Sequence, residues 1–551
     1  MQSVPGSATG SPTYLLHTGY SIGNGVSSHR DPGGYWFANV RGTRSTPTIQ
    51  HLKCFSGPPR KCAPNTPAEE GKHSSVASEY GEIKGRFGST KGPQGSYSRY
   101  GGGVLLFVSI ALGAGQVEMK MRLETWALAL ITLGSIAEGT ILQNGQVRET
   151  HFPDTKVDLT AYDLNTYDAD VTEISYKGRW DSKKVSFWSA AGLVFGFSGD
   201  TVAITFGENT VNGTLVGYRL AGMDWTFTNV TVGGTHMLIT PDTPGIGETY
   251  PVNPQRFEMR VSNWGYGVQI DKVHVGAGES LIKIPPYSRT IEFIGDSLSA
   301  GDFQSYESMS SFAYGVGEGL GETEYYVTAY PGICVTDQNC WGNPRGQAHQ
   351  WFYSSDTSWR AAAIWGDNPE PWNFSKMETT PDIVVINLGT NDNNAANNVS
   401  SVAFVDAYKK LIQGVHGKYP NAQVVVMELW LGFYQYGNSY GQSLGFQQEL
   451  EDIVAYFNSD EYLSAPKIWD GTTNTTTTLE TPSEPFVHYF RTKGILQHND
   501  IGPQYHPTDV GAIKVASHLL QYLKLTFGWD LVSTGPEVFH DTLYWNDQDS
   551  Y

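Results

Sequence analysis

Across residues 139–286 the apolar positions come in short alternating or continuous runs, separated by Gly, Asp and Asn. Lys184-Val-Ser-Phe-Trp, Gly192-Leu-Val-Phe-Gly-Phe, Thr201-Val-Ala-Ile-Thr-Phe, Met237-Leu-Ile-Thr and Arg256-Phe-Glu-Met-Arg-Val are the clearest. Runs recurring at about ten residues with turn signals between them predict strands, and a set of them predicts a β-sandwich or jelly roll. From residue 288 the pattern changes. Near-continuous apolar runs at 290–294, 325–329, 382–388 and 423–429 alternate with helical periods at 312–320, 402–418, 446–457 and 508–525. A run such as Ile383-Val-Val-Ile-Asn-Leu is apolar on both faces, as expected of a parallel strand covered by helices. The pattern therefore predicts an all-β domain at 138–286, a three-layer α/β domain at 287–528 and a tail at 529–551. The Thr-rich stretch 471–481 reads as a surface loop.

Residues 1–118 follow neither pattern. They hold 20 of the 62 glycines and no hydrophobic period, and stretches such as Lys91-Gly-Pro-Gln-Gly-Ser have too little apolar surface to offset the entropy of ordering. The segment is expected to be a disordered extension, produced by a start codon chosen too far upstream. Met119-Lys-Met-Arg opens a basic, then apolar, then small-residue sequence ending near Ser135-Ile-Ala137, the order of a secretory signal peptide over 119–137. Its apolar core of about 11 residues is too short to span a bilayer, which takes about 20.

Charge divides the chain in the same place. The whole carries 36 Lys+Arg against 55 Asp+Glu, a net charge of −19. Residues 1–118 contribute 11 − 6 = +5, so the remainder carries 25 − 49 = −24. That excludes a nucleic-acid binder, which needs a basic surface to displace counterions. Hydrophobic residues make up 39% of the chain and aromatic residues 13%, enough for a large core. Five sequons follow the signal-like segment, at Asn212, Asn229, Asn373, Asn398 and Asn474, and point to an N-glycosylated extracellular protein. Cys334 and Cys340 share one short loop and are expected to form a disulfide in an oxidising compartment. Cys54 and Cys62 fall in the extension and receive no role.

Ligands of open parallel sheets bind beyond the carboxyl ends of the strands. The candidate chemistry sits there. Gly295-Asp296-Ser297-Leu298-Ser299 follows the first α/β strand, Tyr330-Pro331-Gly332-Ile333-Cys334 the second, and Gly389-Thr390-Asn391-Asp392 the third. His506-Pro507-Thr508-Asp509-Val510-Gly511 opens the last helix. The 14 histidines show neither HExxH nor another spacing that would hold a metal, and no cofactor motif is present.

In order and spacing these four blocks resemble the SGNH (GDSL) hydrolase superfamily, over roughly residues 290–526. With a β domain in front, the chain is similar to carbohydrate esterase family two and its fungal secreted relatives. Tyr176-Lys-Gly178-Arg179-Trp180 resembles the opening of that family's jelly roll, and the segment 333–352 resembles the fungal branch. The resemblance implies a flavodoxin-like SGNH domain with Ser297 as nucleophile and His506 as its base. It implies an oxyanion hole made by the main-chain N–H groups of Ser297 and Gly332 and the Asn391 amide. Those roles suit the chemistry: serine needs a base to attack an ester, and fixed donors stabilise the charge that attack creates. One position departs from the superfamily pattern. Where an Asp three residues before the His is usual, this chain has Pro503. Members of carbohydrate esterase family two that lack the Asp imply a Ser–His dyad oriented by a main-chain carbonyl, near Pro503 or Gln504; Asp500 is the competing orienter.

Trp341, Trp351 and Trp430, with Trp365 beside them, lie in or near segments after strand ends and are candidate sugar platforms or core residues. Arg345, His488 and His498 read as structural or surface residues, and Glu428 receives no role. The resemblance implies a secreted serine esterase that removes O-acetyl groups from xylan or glucomannan through an acyl-enzyme. Two alternatives stay open: an esterase or lipase for other short-chain acyl esters, and a carbohydrate-binding protein with a decayed active site. The expected partner is an acetylated polysaccharide or oligosaccharide, with no nucleic acid, no membrane insertion and no cofactor, and with the protein a monomer.

Overall fold

The computed structural model describes residues 152–532, apart from 221–222, 247–254 and 356–357, together with the short strands Ser28–Arg30, Trp36–Ala38, Ile141–Gln143, Gln146–Val147 and Leu543–Trp545. The chain divides into two units, Met1–Gln116 and Val117–Tyr551. Of the first, the described part is one antiparallel pair, Ser28–Arg30 with Trp36–Ala38. The rest of the expected extension, the signal-like segment 119–137, Cys54 and Cys62 lie outside the described residues.

The first domain of the second unit is two antiparallel sheets face to face. One runs Lys156–Val157, Thr235–Ile239, Val202–Phe206, Val268–Gly276, Leu164–Asp168, and the other Thr226–Val230, Thr214–Leu220, Gln255–Val261, Gly192–Phe197, Leu281–Ile282. Gly192–Phe197 is buried along its whole length, which explains its unbroken apolar run. Leu193, Phe195, Phe257, Met259, Ile204 and Val273 fill the space between the sheets.

The second domain is a five-stranded parallel sheet. Its strands are β1 (Arg289–Gly295), β2 (Thr323–Ala329), β3 (Ile383–Asn387), β4 (Gln423–Met427) and β5 (Val487–Phe490), in the order β2-β1-β3-β4-β5. Four longer helices cover it: α1 (Phe312–Leu320), α2 (Ser401–Lys418), α3 (Gln447–Phe457) and α4 (Asp509–Phe527). Alternate residues of β3 serve opposite layers, Val384 and Ile386 packing with α2 and α3 and Ile383 and Val385 with α1 and α4. Residue Gly295 is in register with both Ala329 and Asn387, so β1, β2 and β3 end on one line. Chain order reverses at β1, and such a reversal leaves a crevice at the strand ends. The Thr-rich stretch departs from the expected loop: Thr475–Thr478 pairs with Lys467–Asp470 as an antiparallel hairpin.

The two domains share a buried seam. Lys177 and Arg179 sit on or just after the strand Ser175–Lys177. Lys177 Nζ is 2.9 Å from Glu324 Oε2 on β2, and Arg179 Nη2 is 3.3 Å from Glu292 Oε1 on β1. The Arg179 guanidinium also donates to the carbonyls of Trp351 and Tyr353 and lies over the Trp351 ring. Trp351 Nε1 and Thr328 Oγ1 complete the shell around Glu292 Oε1 at 3.0 and 2.7 Å. The Tyr176–Trp180 motif is thus where the β domain grips the centre of the α/β sheet. No helix among the described residues is long and apolar enough to cross a membrane.

Candidate active site

Asp296, buried at the end of β1, caps the one-turn helix Ser297–Ala300 by accepting from the Leu298 N–H at 3.0 Å. The cap turns the chain sharply and leaves Ser297 at the start of the turn. His506 lies 209 residues further on, at the end of a short 3-10 turn Pro503–Tyr505. Its Nε2 is 2.7 Å from Ser297 Oγ. Its Nδ1 is 2.9 Å from the Gln504 carbonyl oxygen, so Nδ1–H donates there and Nε2 is free to take the serine proton.

That carbonyl is aimed by unusual backbone. Gln504 and Tyr505 both have left-handed φ, +51° and +64°. Each costs on the order of 1–3 kcal/mol for a non-glycine residue. Gly502 N–H donates to the His506 carbonyl at 2.7 Å and His506 N–H to the Pro503 carbonyl at 3.1 Å, which close the turn around the imidazole. Burial pushes the His506 pKa below its ordinary value, with the Gln504 and Pro503 carbonyls opposing it.

Asp500 is not the orienter. Both its carboxylate oxygens accept from Lys514 Nζ, at 2.7 and 2.8 Å, and Oδ2 also accepts from the Gln497 N–H at 2.8 Å. Its place is in tying the catalytic loop to α4.

The groups expected to serve as oxyanion donors follow three strand ends, those of β1, β2 and β3. Among the described residues the N–H groups of Ser297 and Gly332 have no protein acceptor. Gly332 has φ +78°, and a Cβ there would lie 3.1 Å from Trp341 Cβ and 3.2 Å from Asn343 Nδ2. A side chain would therefore crowd Trp341 and Asn343 and strain the turn. Asn391, in the turn after β3, is buried with its Nδ2 2.9 Å from the Ile333 carbonyl oxygen. Next to it the buried Asp392 accepts from the N–H groups of Val335 at 2.8 Å and Thr336 at 3.0 Å. Cys334 and Cys340 are joined by a disulfide in the same loop. Burial pushes the Asp296 carboxyl up to about 7, with Asp392 adding to the effect, and raises Asp392 as well.

The tryptophan candidates separate by position. Trp341 is 57% exposed and stands beside Gly332. Trp351 and Trp430 are buried core residues, the first beneath Arg179 and the second packed edge-on against Phe312, so neither can meet a substrate. Trp365 donates to Asp181, and Arg345 pairs with Asp337. His488 bonds Gln423 Oε1 at 2.7 Å, and His498 stacks on Tyr440. Glu428, fully buried after β4, accepts from the N–H groups of Thr492 and Lys493 and so fixes the loop after β5.

Two residues of the site had no sequence signal. The Phe303 ring is 4.9 Å from the His506 ring, held by a left-handed φ of +65°. Trp264 comes from the β domain. Its ring meets Tyr330 edge-on at 5.7 Å, and burial pushes the neighbouring Asp302 carboxyl up to about 6. No group of three or more metal-ligating side chains is present among the described residues.

Comparison with known proteins finds likeness over part of the chain. Residues 293–512 match the family model described as GDSL-like lipase/acylhydrolase. A curated relative, the cellulase/esterase CelE of Acetivibrio thermocellus, is 29% identical over 283 residues, 48% of this chain; the chain spans 32% of that protein's length. A family two carbohydrate esterase from Clostridium thermocellum, solved in complex with cellohexaose, is 21% identical with a TM-score of 0.48, covering 65% of this chain and 100% of that one. A carbohydrate esterase family 2 enzyme with a carbohydrate binding domain, from Corynascus thermopiles (Myceliophthora fergusii), is 18% identical with a TM-score of 0.46, covering 65% and 100%.

Proposed function

We propose that this chain, whose residues 293–512 match the GDSL-like lipase/acylhydrolase family model, is a secreted serine esterase that removes O-acetyl groups from plant cell-wall polysaccharide, xylan or glucomannan. The observation that carries the reading is the 2.7 Å contact of His506 Nε2 with Ser297 Oγ, with Nδ1–H already held by a carbonyl. In that tautomer His506 takes the Ser297 proton as Oγ attacks the acetyl carbonyl. The oxyanion forms against the Ser297 and Gly332 N–H groups and the Asn391 amide. His506 then returns the proton to the sugar hydroxyl that leaves. Water repeats the sequence on the acetyl-serine, releasing acetate.

The carbohydrate part of the reading is supported by the cellulase/esterase relative. The secreted part is supported by the disulfide and by sequon positions, with Asn212, Asn373, Asn398 and Asn474 exposed and Asn229 half-buried. The test is acetate release from acetylated xylan and glucomannan. Ser297→Ala and His506→Ala should each lose on the order of 10³-fold or more in kcat. Undiminished acetate release by Ser297→Ala would overturn the assignment.

A further inference from the structure

Residues 301–306 run from one half of the dyad to the other. The segment leaves the nucleophile's turn with the Asp302 N–H donating to the Ser297 carbonyl at 3.0 Å. It then reaches the helix that follows the base. Asp509, three residues after His506 and in the first turn of α4, accepts from the Ser305 N–H at 3.0 Å through Oδ1 and from the Ser305 hydroxyl through Oδ2. Asp509 is buried. Between these two anchors stands Phe303, with φ +65°. Its ring is tilted 53° to the His506 ring, with the centroids 4.9 Å apart.

A left-handed conformation at a bulky residue persists where its surroundings over-determine it. They do so here. The Phe303 N–H donates to Asp302 Oδ1 at 3.1 Å, the Gln304 N–H donates to the Gly301 carbonyl at 3.1 Å, and Asp509 holds Ser305 by two bonds. The effect of this bracing is to lay an aromatic ring against the imidazole. His506 has a use for it. Its Nδ1 has one neutral acceptor, the Gln504 carbonyl at 2.9 Å. A single hydrogen bond fixes a direction and leaves the plane of the imidazole free to tilt, which swings Nε2 relative to Ser297 Oγ. A packed ring removes that tilt, and it does so without bringing a charge to the base.

We propose that Phe303 is a positioning residue for His506, holding the imidazole plane toward Ser297, and that Asp509 acts through Ser305 to keep Phe303 in place; this rests on the Ser–His esterase reading above. The carboxyl groups on the elements packed here have other tasks. That of Asp302 takes the Phe303 N–H, that of Asp509 holds Ser305, and that of Asp500 is paired with Lys514. Phe303 therefore restrains the ring by packing, in a dyad that has no carboxylate to do so by hydrogen bonding.

The experiment measures kcat, KM and the pH profile of full-chain variants on 4-nitrophenyl acetate and on acetylated xylan, with the unfolding midpoint of each variant. Phe303→Ala should lower kcat about 10–100-fold on both substrates with KM within about threefold, as expected of a misplaced base. Its acidic limb should move up in pH toward about 6.5, because burial holds the His506 pKa down and losing the ring exposes the imidazole. Phe303→Tyr keeps the ring and should restore both kcat and the limb. Phe303→Leu, which keeps apolar bulk without a flat ring, should behave as Phe303→Ala does and carries the test where Phe303→Ala does not fold. Asp509→Asn should lower kcat about three- to tenfold, the worth of one hydrogen bond. Added to Phe303→Ala it should lower kcat no further, since nothing is left for it to hold. Unchanged kcat and acidic limb in Phe303→Ala overturn the proposal. So does a loss confined to xylan, which makes Phe303 a substrate contact, and so do independent, multiplying losses from Phe303→Ala and Asp509→Asn. If the wild type hydrolyses neither ester, or Ser297→Ala hydrolyses them undiminished, the esterase reading has failed; if hydrolysis depends on Ser297 and Phe303→Ala matches the wild type, only the positioning role has.

Discussion

The chemistry of a single histidine depends on what its second nitrogen touches. Here Nδ1–H of His506 meets the neutral Gln504 carbonyl, and no carboxylate raises the imidazole pKa. Burial lowers it instead. The base must be neutral to accept the serine proton, so activity is present above this pKa and lost as pH falls through it. The acidic limb of kcat/KM should therefore lie below about 6.5, the ordinary histidine value. A limb above that value would contradict the carbonyl-oriented dyad. Replacing Asp500 separates its role from catalysis. Asp500→Asn should keep kcat within about threefold while lowering stability by roughly 1–3 kcal/mol, because Lys514 loses a buried charged partner. A pH–rate profile and a denaturant titration of the same variant check both halves. Sequence gave Pro503 as the break in the superfamily pattern, but the carbonyl that replaces the Asp depends on the left-handed turn at Gln504 and Tyr505, which no residue type in that stretch announces.

Between elements, the proposed oxyanion hole is an assembly of loops from β1, β2 and β3. Asp392 is the tie: it belongs to the turn that carries Asn391 and holds the N–H groups of Val335 and Thr336 in the loop that carries Gly332. Asp392→Asn puts an amide NH₂ against one of those N–H groups, so the Gly332 loop should shift while the dyad stays in place. We expect kcat to fall about 10–100-fold with KM within about threefold, less than the 10²–10³ of losing a donor outright. Weaker binding of a phosphonate oxyanion mimic should accompany it. A fall in KM-dependent binding with kcat unchanged would assign Asp392 to substrate contact instead. The strand ends themselves were readable, since Gly295, Gly389 and the apolar runs before them mark where buried strands stop. That Asp392 reaches across to another loop was not, because its partners are main-chain groups 56 and 57 residues away.

At the scale of the molecule, the composition change near residue 288 divides the chain into two domains, and the structure fuses them through buried charge. Arg179 and Glu292 sit in the seam with their side chains 3% and 2% exposed. Arg179→Ala leaves Glu292 buried and unpaired, and such a loss costs about 3–5 kcal/mol. The unfolding midpoint in urea should drop accordingly, and Arg179→Met/Glu292→Gln should recover part of it, since removing both charges leaves neither stranded. A drop below about 1 kcal/mol would show that the seam is solvated. Because Glu292 lies on β1, the strand that leads into Ser297, the grip of the β domain supports the strand behind the proposed nucleophile. Trp264 extends the same relationship to Tyr330, at the head of the Gly332 turn.

By itself the sequence determined most of the element types, the change of architecture along the chain and the place of the four motif blocks at strand ends or before a helix. All three are written in local patterns: the period of apolar residues, and Gly, Ser, Asn or His at the ends of strands or before a helix. Tertiary structure alone decided which tryptophans are core and which is exposed, what orients His506, and how a motif in the β domain came to grip the α/β sheet. The physical reason is the same throughout: burial and main-chain hydrogen bonds between segments hundreds of residues apart are properties of the packed chain, and residue identity constrains them only after the sheets and helices have been laid together.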